Sequence, residues 1–261
     1  MNRIAHIAAG ILLVTLTLST TGCRNFSMIS PSEEVQIGKE VGAEYEKKYK
    51  VITDTEDARL LEQIGARLVD GMKKAEGKKA PSYPFTFKLL KSKDINAFAL
   101  PGGPVYVFEG LVAEAKGNED MLAGVLAHEM GHIVARHGVK QMSSQMAVGT
   151  LIGAFTKGST QDIALIASEL IMLKYSRDDE YEADAKAIRY SHAAGYNPEG
   201  LIQFFDKLLT MKDNKESSDL VSANLRTHPL TRNRIIRARQ EIKTVTGVAS
   251  TVDVDIDKAP K

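Results

Sequence analysis

Apolar side chains recur every three to four residues over most of this chain, and they alternate with polar ones only in short stretches between residues 83 and 108. The helical spacing predicts helices with one buried face, and the alternation predicts strands. Capping and turn residues set the expected ends of these elements. The predicted helices lie at about residues 30–49, 55–72, 110–116, 118–136, 176–194, 197–211 and 231–246, and the predicted strands lie at 83–90, 96–100 and 105–108.

These elements together predict an α+β fold that is mainly helical, with a small sheet beside the helix at 118–136. Residues 141–173 hold two further apolar stretches, for which core helices are favoured over a lid that covers a cleft or touches lipid. The segments 71–80 and 212–222 are polar and are expected to be loops. The expected organisation is a single folded domain at 30–247, followed by a disordered tail at 248–261.

The turn Pro101-Gly102-Gly103-Pro104 connects the last two predicted strands. Prolines within a sheet belong at its edges, so one of these strands is expected at an edge. An edge strand can bind an extended peptide through backbone hydrogen bonds with little sequence preference. An ordinary edge hairpin without a ligand fits the same residues equally well.

The start of the chain has the pattern of an export signal. Residues 1–22 contain a short basic start and an apolar run at 7–18, which is short for a membrane span. Cys23, the single cysteine, follows directly in a pattern that resembles the lipobox of bacterial lipoproteins, although Thr20 stands where that pattern prefers Leu. The resemblance implies a signal peptide at 1–22, lipid on Cys23, a tether at 23–29, and attachment to the periplasmic face of a bacterial membrane, with the outer membrane favoured. A plain secretory signal is the alternative.

The charge of the chain is nearly balanced, with 34 basic and 33 acidic side chains and a formal net charge of +1. That balance argues against nucleic acid as the main partner. The content of 43% hydrophobic and 26% charged residues is ordinary for a folded soluble domain. If Cys23 carries lipid, no thiol remains for a disulfide, and stability must come from the core and any bound metal.

The run His128-Glu129-Met130-Gly131-His132 lies within an apolar segment of helical spacing. Residues four apart share one face of a helix, so His128 and His132 can bind the same metal ion. Two histidines, a third protein ligand and an open position for water are typical of catalytic zinc, and they predict one zinc ion per chain. Glu129 would take a proton from the bound water, whose pKa falls to about 7. Two surface histidines on an ordinary helix are the alternative.

A second group of polar residues supplies candidates for the rest of the site. Glu180 and Asp184 share a helix face, so Glu180 can be the third zinc ligand and Asp184 can accept the outer N–H of a ligand histidine. Glu182 points about 200° away from Glu180 and is a poorer candidate. His228 precedes a proline at a helix start and could donate a hydrogen bond to an oxyanion. His137, at the end of the motif helix, is interpreted as an exposed or internally satisfied side chain.

Four ordered motifs together resemble one family. They read N-A-F-A-L-P-G-G at 96–103, H-E-M-G-H at 128–132, S-R-D-D-E-Y-E-A-D at 176–184 and T-H-P-L-T-R-N-R-I at 227–235. This set is similar to the zinc metalloendopeptidases that include the CaaX prenyl protease, mitochondrial Oma, bacterial HtpX and the BepA-like periplasmic proteases. The chain has neither the long hydrophobic helices of the membrane-spanning members nor the tetratricopeptide repeats of the BepA branch, so we expect it to be closer to the lipid-anchored or soluble bacterial members.

The resemblance implies a gluzincin-type protease domain and a role for each matching residue. It implies His128, His132 and Glu180 as zinc ligands, Glu129 as the general base, Asp184 and Arg234 as supports behind the ligands, and His228 as a transition-state stabiliser or a removable extra ligand in a latent form. The expected function is zinc-dependent hydrolysis of peptide bonds in unfolded or misassembled envelope proteins. Two alternatives stay open: a latent protease that acts mainly as a chaperone-like binding module, and a structural zinc protein without an open metal position.

Overall fold

The computed structural model describes residues 29–145, 153, 160–171, 174–214 and 217–260. The described helices are α1 (Pro31–Lys48), α2 (Glu56–Glu76), α3 (Glu109–Ala115), α4 (Glu119–Val134), α5 (His137–Gln145), α6 (Thr160–Ile171), α7 (Arg177–Ala193), α8 (Gly200–Lys212), α9 (Ser218–Thr227) and α10 (Arg232–Thr246), and the strands are β1 (Val51–Ile52), β2 (Thr86–Leu90), β3 (Ala97–Ala99) and β4 (Pro104–Phe108). The expected signal peptide and Cys23 lie outside these residues.

Short polar side chains begin the helices where the sequence predicts them. Ser30 caps α1 and exchanges the two bonds of a capping box with Glu33. Asn118 caps α4 by accepting a hydrogen bond from the Met121 N–H at 3.0 Å. Ser176 caps α7 with a second capping box, and Thr231 caps α10. These caps fix where α4, α7 and α10 begin, and therefore which residues of each helix face the same side.

The strands form a single sheet in the order β1-β2-β4-β3. β2 and β4 pair in parallel, whereas β1 and β3 pair in antiparallel with their neighbours. The turn at 101–103 places β3 at one edge, as the prolines predicted. β3 packs beside α4, which confirms the mainly helical α+β fold with a small sheet next to the motif helix.

The larger core surrounds α4, which is buried from Met121 to Ile133 and packs against α2, α7, α8 and β3. A helix buried on nearly all sides is positioned rigidly, because a fully buried aliphatic side chain stabilises the fold by about 1.5–3 kcal/mol. A second cluster fills the space between α1, α6 and the other face of the sheet, and it contains Tyr45, Phe98, Tyr106 and Ile166. Within the 141–173 segment, α6 packs one face into this cluster, as the core-helix interpretation expects.

Several predicted boundaries differ from those of the structure. α2 continues past Gly71 to Glu76, because Gly71 makes room for the backbone of Tyr190 rather than ending the helix. α4 ends at Val134, close to the predicted end at about residue 136, and a further helix, α5, begins directly at His137. The polar segment at 212–222 contains the start of α9. Ile29, assigned to the tether, is buried in the second cluster.

The tail expected to be disordered from residue 248 is packed onto the domain. The carbonyl of Val252 accepts a hydrogen bond from Arg239, and the carbonyl of Pro260 accepts one from the N–H of Arg232. Val254 and Ala259 are buried in the larger core. The disorder prediction is wrong, because the segment is attached by long-range hydrogen bonds and by buried apolar side chains that a local pattern does not reveal. Among the described residues, no helix is both long and apolar enough to cross a bilayer.

Candidate metal centre

The centre is built where α4 crosses α7. His128 and His132 stand one turn apart on the face of α4 that looks towards α7. Gly131 lies at the crossing, and a Cβ there would approach the Ala183 carbonyl oxygen to 2.9 Å. The absence of a side chain at Gly131 thus lets the two helices come close enough for Glu180, on the first turn of α7, to reach both imidazoles.

The ligand atoms of four buried residues converge. Those of His128, His132, Glu180 and His228 all lie within 4.8 Å of one another. The two Nε2 atoms of His128 and His132 are 3.1 Å apart, and each lies 3.6 Å from an oxygen of Glu180. Atoms bound to a tetrahedral ion at 2.0–2.1 Å are about 3.3 Å from one another. The spacing therefore suits one zinc-sized ion.

Polar groups close to the outer nitrogens of both rings favour the same conclusion. Asp184 Oδ1 lies 2.9 Å from Nδ1 of His128, and Nδ1 of His137 lies 2.9 Å from Nδ1 of His132. If both ligand rings carry their proton on Nδ1, their Nε2 lone pairs face each other at 3.1 Å. Such lone pairs repel unless a cation lies between them, so the residues fit a metal ion.

The titration behaviour of His132 agrees with a ligand role. Burial, followed by the nearby His128 and His228, lowers the pKa of His132 well below its usual value. The ring therefore stays neutral over the physiological range, and only a neutral imidazole can bind a metal.

Arg234 ties the carboxylates of α7 to the segment that carries His228. Its guanidinium donates two hydrogen bonds to Asp184, each 2.8 Å long, and its Nη1 lies 2.6 Å from Glu180. The same Nη1 donates to the carbonyl of Pro229 at 3.3 Å. Burial raises the pKa of Asp184, but the charge of Arg234 outweighs it and holds that pKa at about 2.

His228 follows the last residue of α9 and reaches into the centre. Its Nδ1 lies 3.0 Å from Glu180 Oε1 and 3.3 Å from His128 Nε2, while its Nε2 lies 3.8 Å from Glu129 Oε1. Burial lowers the pKa of His228, but the charges of Glu180 and Glu129 outweigh it and leave that pKa above its usual value. His228 therefore lies between the predicted ligands and the predicted base.

Glu129 is buried beside this group but is not one of its four members. Burial raises the pKa of Glu129, and the neighbouring His228 and His128 act in the opposite direction. The structure thus brings together the predicted residues of α4, α7 and the His228 segment. It leaves out Glu182, which is half exposed and is turned towards His137.

Comparison with known proteins adds the family. Residues 56–242 match peptidase family M48, a range that runs from α2 to α10 and contains every predicted site residue except Cys23. The chain belongs to peptidase family M48. The match confirms the family that the four sequence motifs resemble.

Three relatives show how the chain compares with other members of M48. It is 28% identical over 236 residues to the beta-barrel assembly-enhancing protease of Escherichia coli (strain K12), which covers 85% of this chain and 46% of that protein. It is 26% identical over 234 residues to metalloprotease LoiP of the same strain, covering 79% and 88%, and 29% identical over 187 residues to metalloprotease YcaL, covering 69% and 70%. The chain thus spans about half the length of the assembly-enhancing protease that it matches.

Two residues of this M48 domain contact the centre without having been predicted to do so. His137 is buried and lies against His132, and the ring of Tyr175 stacks on His132 with centroids 3.9 Å apart. The sequence did carry a signal for His137, because it follows the motif at the point where the helix was expected to end. The direction in which the His137 side chain points, however, depends on the backbone turn at Arg136, which the sequence pattern does not predict.

Proposed function

We propose that this protein is a zinc-dependent metalloendopeptidase that hydrolyses peptide bonds in unfolded or misassembled envelope proteins. The observation that carries the proposal is the convergence of His128, His132 and Glu180 beside the buried carboxylate of Glu129, within a domain of peptidase family M48. Relatives named as metalloproteases support the same reaction class.

Each residue of the centre has a defined task in this proposal. A zinc ion bound there would polarise the scissile carbonyl and lower the pKa of a bound water to about 7. Glu129 takes the proton of the attacking water, and burial makes its carboxylate a stronger base than an exposed one. His228, which the adjacent carboxylates favour in its protonated form, donates a hydrogen bond to the developing oxyanion once it turns towards the substrate. Asp184 and Arg234 hold the ligands from behind.

The edge strand β3 offers a place for an extended substrate. The N–H of Phe108 bonds to the carbonyl of Asn96, and the N–H of Leu100 bonds to the carbonyl of Pro104. In this antiparallel register, the backbone groups of Ala99 point away from β4 and towards the open edge. A small cleft lined by Ala99, Leu100 and His132 adjoins this edge. A peptide that pairs with Ala99 would therefore pass beside the metal centre.

The proposed cellular location is inferred from the export signal at 1–22 and from Cys23. The signal at 1–22 and lipid on Cys23 would attach the domain to the periplasmic face of a bacterial membrane, with the outer membrane favoured. An M48 relative is named for its effect on beta-barrel assembly, which supports envelope proteins as substrates. Lipid attachment is tested by mass spectrometry of the N-terminal peptide of the purified protein; an unmodified Cys23 would contradict the anchor.

The direct test of the proposed chemistry is Glu129→Gln. The amide cannot take a proton from water, so cleavage of a denatured protein should fall by two to four orders of magnitude, as is typical for a general base. Zinc content should stay at the wild-type value, because Glu129 is not in the ligand group. Glu62→Gln, an exposed change on α2, is the matched control and should leave both quantities unchanged. Cleavage retained in Glu129→Gln would refute the assigned base.

His228 favours a second candidate, a latent protease that acts mainly as a chaperone-like binding module. Its Nδ1 lies within the ligand group, and as a fourth metal ligand it would fill the position that a water molecule or a substrate carbonyl needs. Asn224 connects this position to the sheet edge: its side chain donates to Asn96 at 3.2 Å and its carbonyl accepts from the N–H of His228 at 2.8 Å. His228 could thus respond to a client bound at β3.

His228→Ala separates the two candidates. If the wild type is an active protease, this variant loses activity, because the hydrogen bond to the oxyanion is gone. A latent protease shows the reverse, with cleavage of a denatured protein only in the variant. Absence of cleavage in both forms, together with zinc held by all four side chains, would instead identify a structural zinc site.

A further inference from the structure

His137 occupies a place behind the metal centre that its sequence pattern did not reveal. The side chain is almost completely buried, at 1% exposure. Its Nδ1 lies 2.9 Å from Nδ1 of His132, and its Nε2 lies 3.4 Å from carboxylate oxygens of Asp179 and Glu182 on α7. One imidazole therefore separates a predicted metal ligand from two carboxylates at the surface.

The backbone is bent to bring His137 there. Arg136, between α4 and α5, has a φ of +60°, a left-handed conformation that non-glycine residues adopt rarely and only when their surroundings hold them in it. Its guanidinium bonds to the carboxylate of Glu34 and to the carbonyl of Ile29, and the Tyr83 hydroxyl donates to Glu34 at 2.6 Å. These contacts hold the turn, which directs the first residue of α5 back onto α4.

The protons along this chain of groups can be assigned without conflict. His132 presents Nε2 to Glu180 and His128, so its proton belongs on Nδ1. His137 must then accept that proton's hydrogen bond at its own Nδ1, and its N–H lies at Nε2, facing Asp179 and Glu182. Every donor meets an acceptor.

We propose that His137 is a positioning residue for His132: by accepting the Nδ1–H of that ring, it fixes the tautomer and orientation with which His132 binds the metal. The inference rests on the proposed metal-binding function. It also gives the two histidine ligands different supports, a carboxylate for His128 and a neutral imidazole for His132. A neutral acceptor avoids placing one more negative charge in a buried site that already holds Glu129, Glu180 and Asp184.

Three substitutions of His137 test the direction of this hydrogen bond. The Oδ1 atom of Asn occupies the place of Nδ1, so His137→Asn keeps an acceptor for His132. His137→Gln places its amide near Nε2, and His137→Leu has no acceptor. Zinc affinity of the purified full chain, measured by competition with a chromophoric chelator, should fall about 10–100-fold in the Gln and Leu variants and stay close to the wild type in the Asn variant. His192→Asn, an exposed histidine of α7, is the control and should change nothing.

The outcomes distinguish this inference from the proposed function. If the wild type binds zinc and His137→Leu binds it equally well, the positioning role is wrong while the metal centre stands. Equal losses in all three variants, in proportion to lower thermal stability of the metal-free protein, would show a purely structural role and would also overturn it. A wild type that binds no zinc would overturn the proposed function and this inference together.

A measurement on the wild type makes the test independent of whether the variants fold. Nitrogen-15 chemical shifts separate protonated from unprotonated ring nitrogens. The inference requires His132 to be protonated on Nδ1 and His137 to be unprotonated on Nδ1 in the zinc-loaded protein. A proton on Nδ1 of His137 would contradict it.

Discussion

At the scale of single residues, buried charges surround the centre and depend on one another. Glu129, Glu180, Asp184 and Arg234 are all buried, and the guanidinium of Arg234 lies against the two buried carboxylates of α7. Taking these groups out of water is costly, and their mutual contacts offset that cost only while the set is complete. Removing one member should therefore cost far more than removing a surface pair.

Asp184→Asn is expected to destabilise the protein by about 3–5 kcal/mol, because the buried guanidinium of Arg234 loses the carboxylate that binds it through two hydrogen bonds. The measurement is urea unfolding of the metal-free protein. Glu241→Gln, which breaks the more exposed pair with Arg189, is the control and should cost about 1 kcal/mol or less. Equal losses in the two variants would show that the buried pair contributes no more than a surface pair.

The free energy of unfolding at acidic pH should depend on the ionisation of Asp184. The pKa of Asp184 is about 2 in the folded protein against an ordinary 3.8. Between these values the unfolded chain binds more protons, so the stabilisation is complete above about pH 4 and is lost as the pH falls towards 2. Unfolding free energies measured across this window should decline more steeply for the wild type than for Asp184→Asn. Parallel curves would contradict the lowered pKa.

Some of the residues at the metal centre could be predicted from the sequence, and others could not. The spacings of His128, His132, Glu180 and Asp184 are fixed by helix geometry, so the sequence alone placed them correctly on their helix faces. His137 could not be placed in this way. Its direction depends on the left-handed turn at Arg136, which long-range contacts with Glu34 and Ile29 hold.

At the scale of elements, the decisive feature is how closely α7 approaches α4. Local signals predicted both helices: Asn118 lies where a capping residue is expected, and Glu180 and Asp184 have the spacing of one helix face. The crossing itself was not predictable, since a glycine in a helix can serve as packing space or as an end. Gly131 and Gly71 are packing positions, whereas Gly195 and Gly247 do follow helix ends with positive φ.

Gly131→Ala tests the crossing. The added Cβ would meet the backbone of Ala183 at about 3 Å, so α7 must move away and carry Glu180 with it. We expect a loss of stability of about 1–3 kcal/mol together with weaker zinc binding. Gly138→Ala, whose Cβ would meet nothing closer than 3.7 Å, is the control, and it should be neutral or slightly stabilising because Ala favours helix. Unfolding and metal competition on both variants decide between these outcomes.

At the scale of the whole molecule, the metal centre joins segments that are far apart in sequence. α4, α7 and the segment after α9 each contribute to it, and the larger core surrounds the same helices. The fold class was predictable from hydrophobic spacing. The parallel pairing of β2 with β4 and the packed tail were not, because they depend on contacts between distant segments.

Because the centre exists only in the folded chain, zinc should stabilise the whole domain. At a free zinc concentration of 1,000 times the dissociation constant, the gain is about 4 kcal/mol. Thermal unfolding should therefore shift upwards as zinc is titrated into metal-free protein, and Glu129→Gln should show the same shift. A midpoint that does not change with zinc would mean that the ion does not bind the native fold.

The most direct test of the account is a joint measurement of metal content and proteolysis on one preparation of the wild type. We expect about one zinc ion per chain, cleavage of a denatured protein, loss of both with a chelator, and recovery of both when zinc is returned. Cleavage that continues after the metal has been removed would contradict the account. In the account, the metal lowers the pKa of the attacking water, and Glu129 then removes the proton of that water.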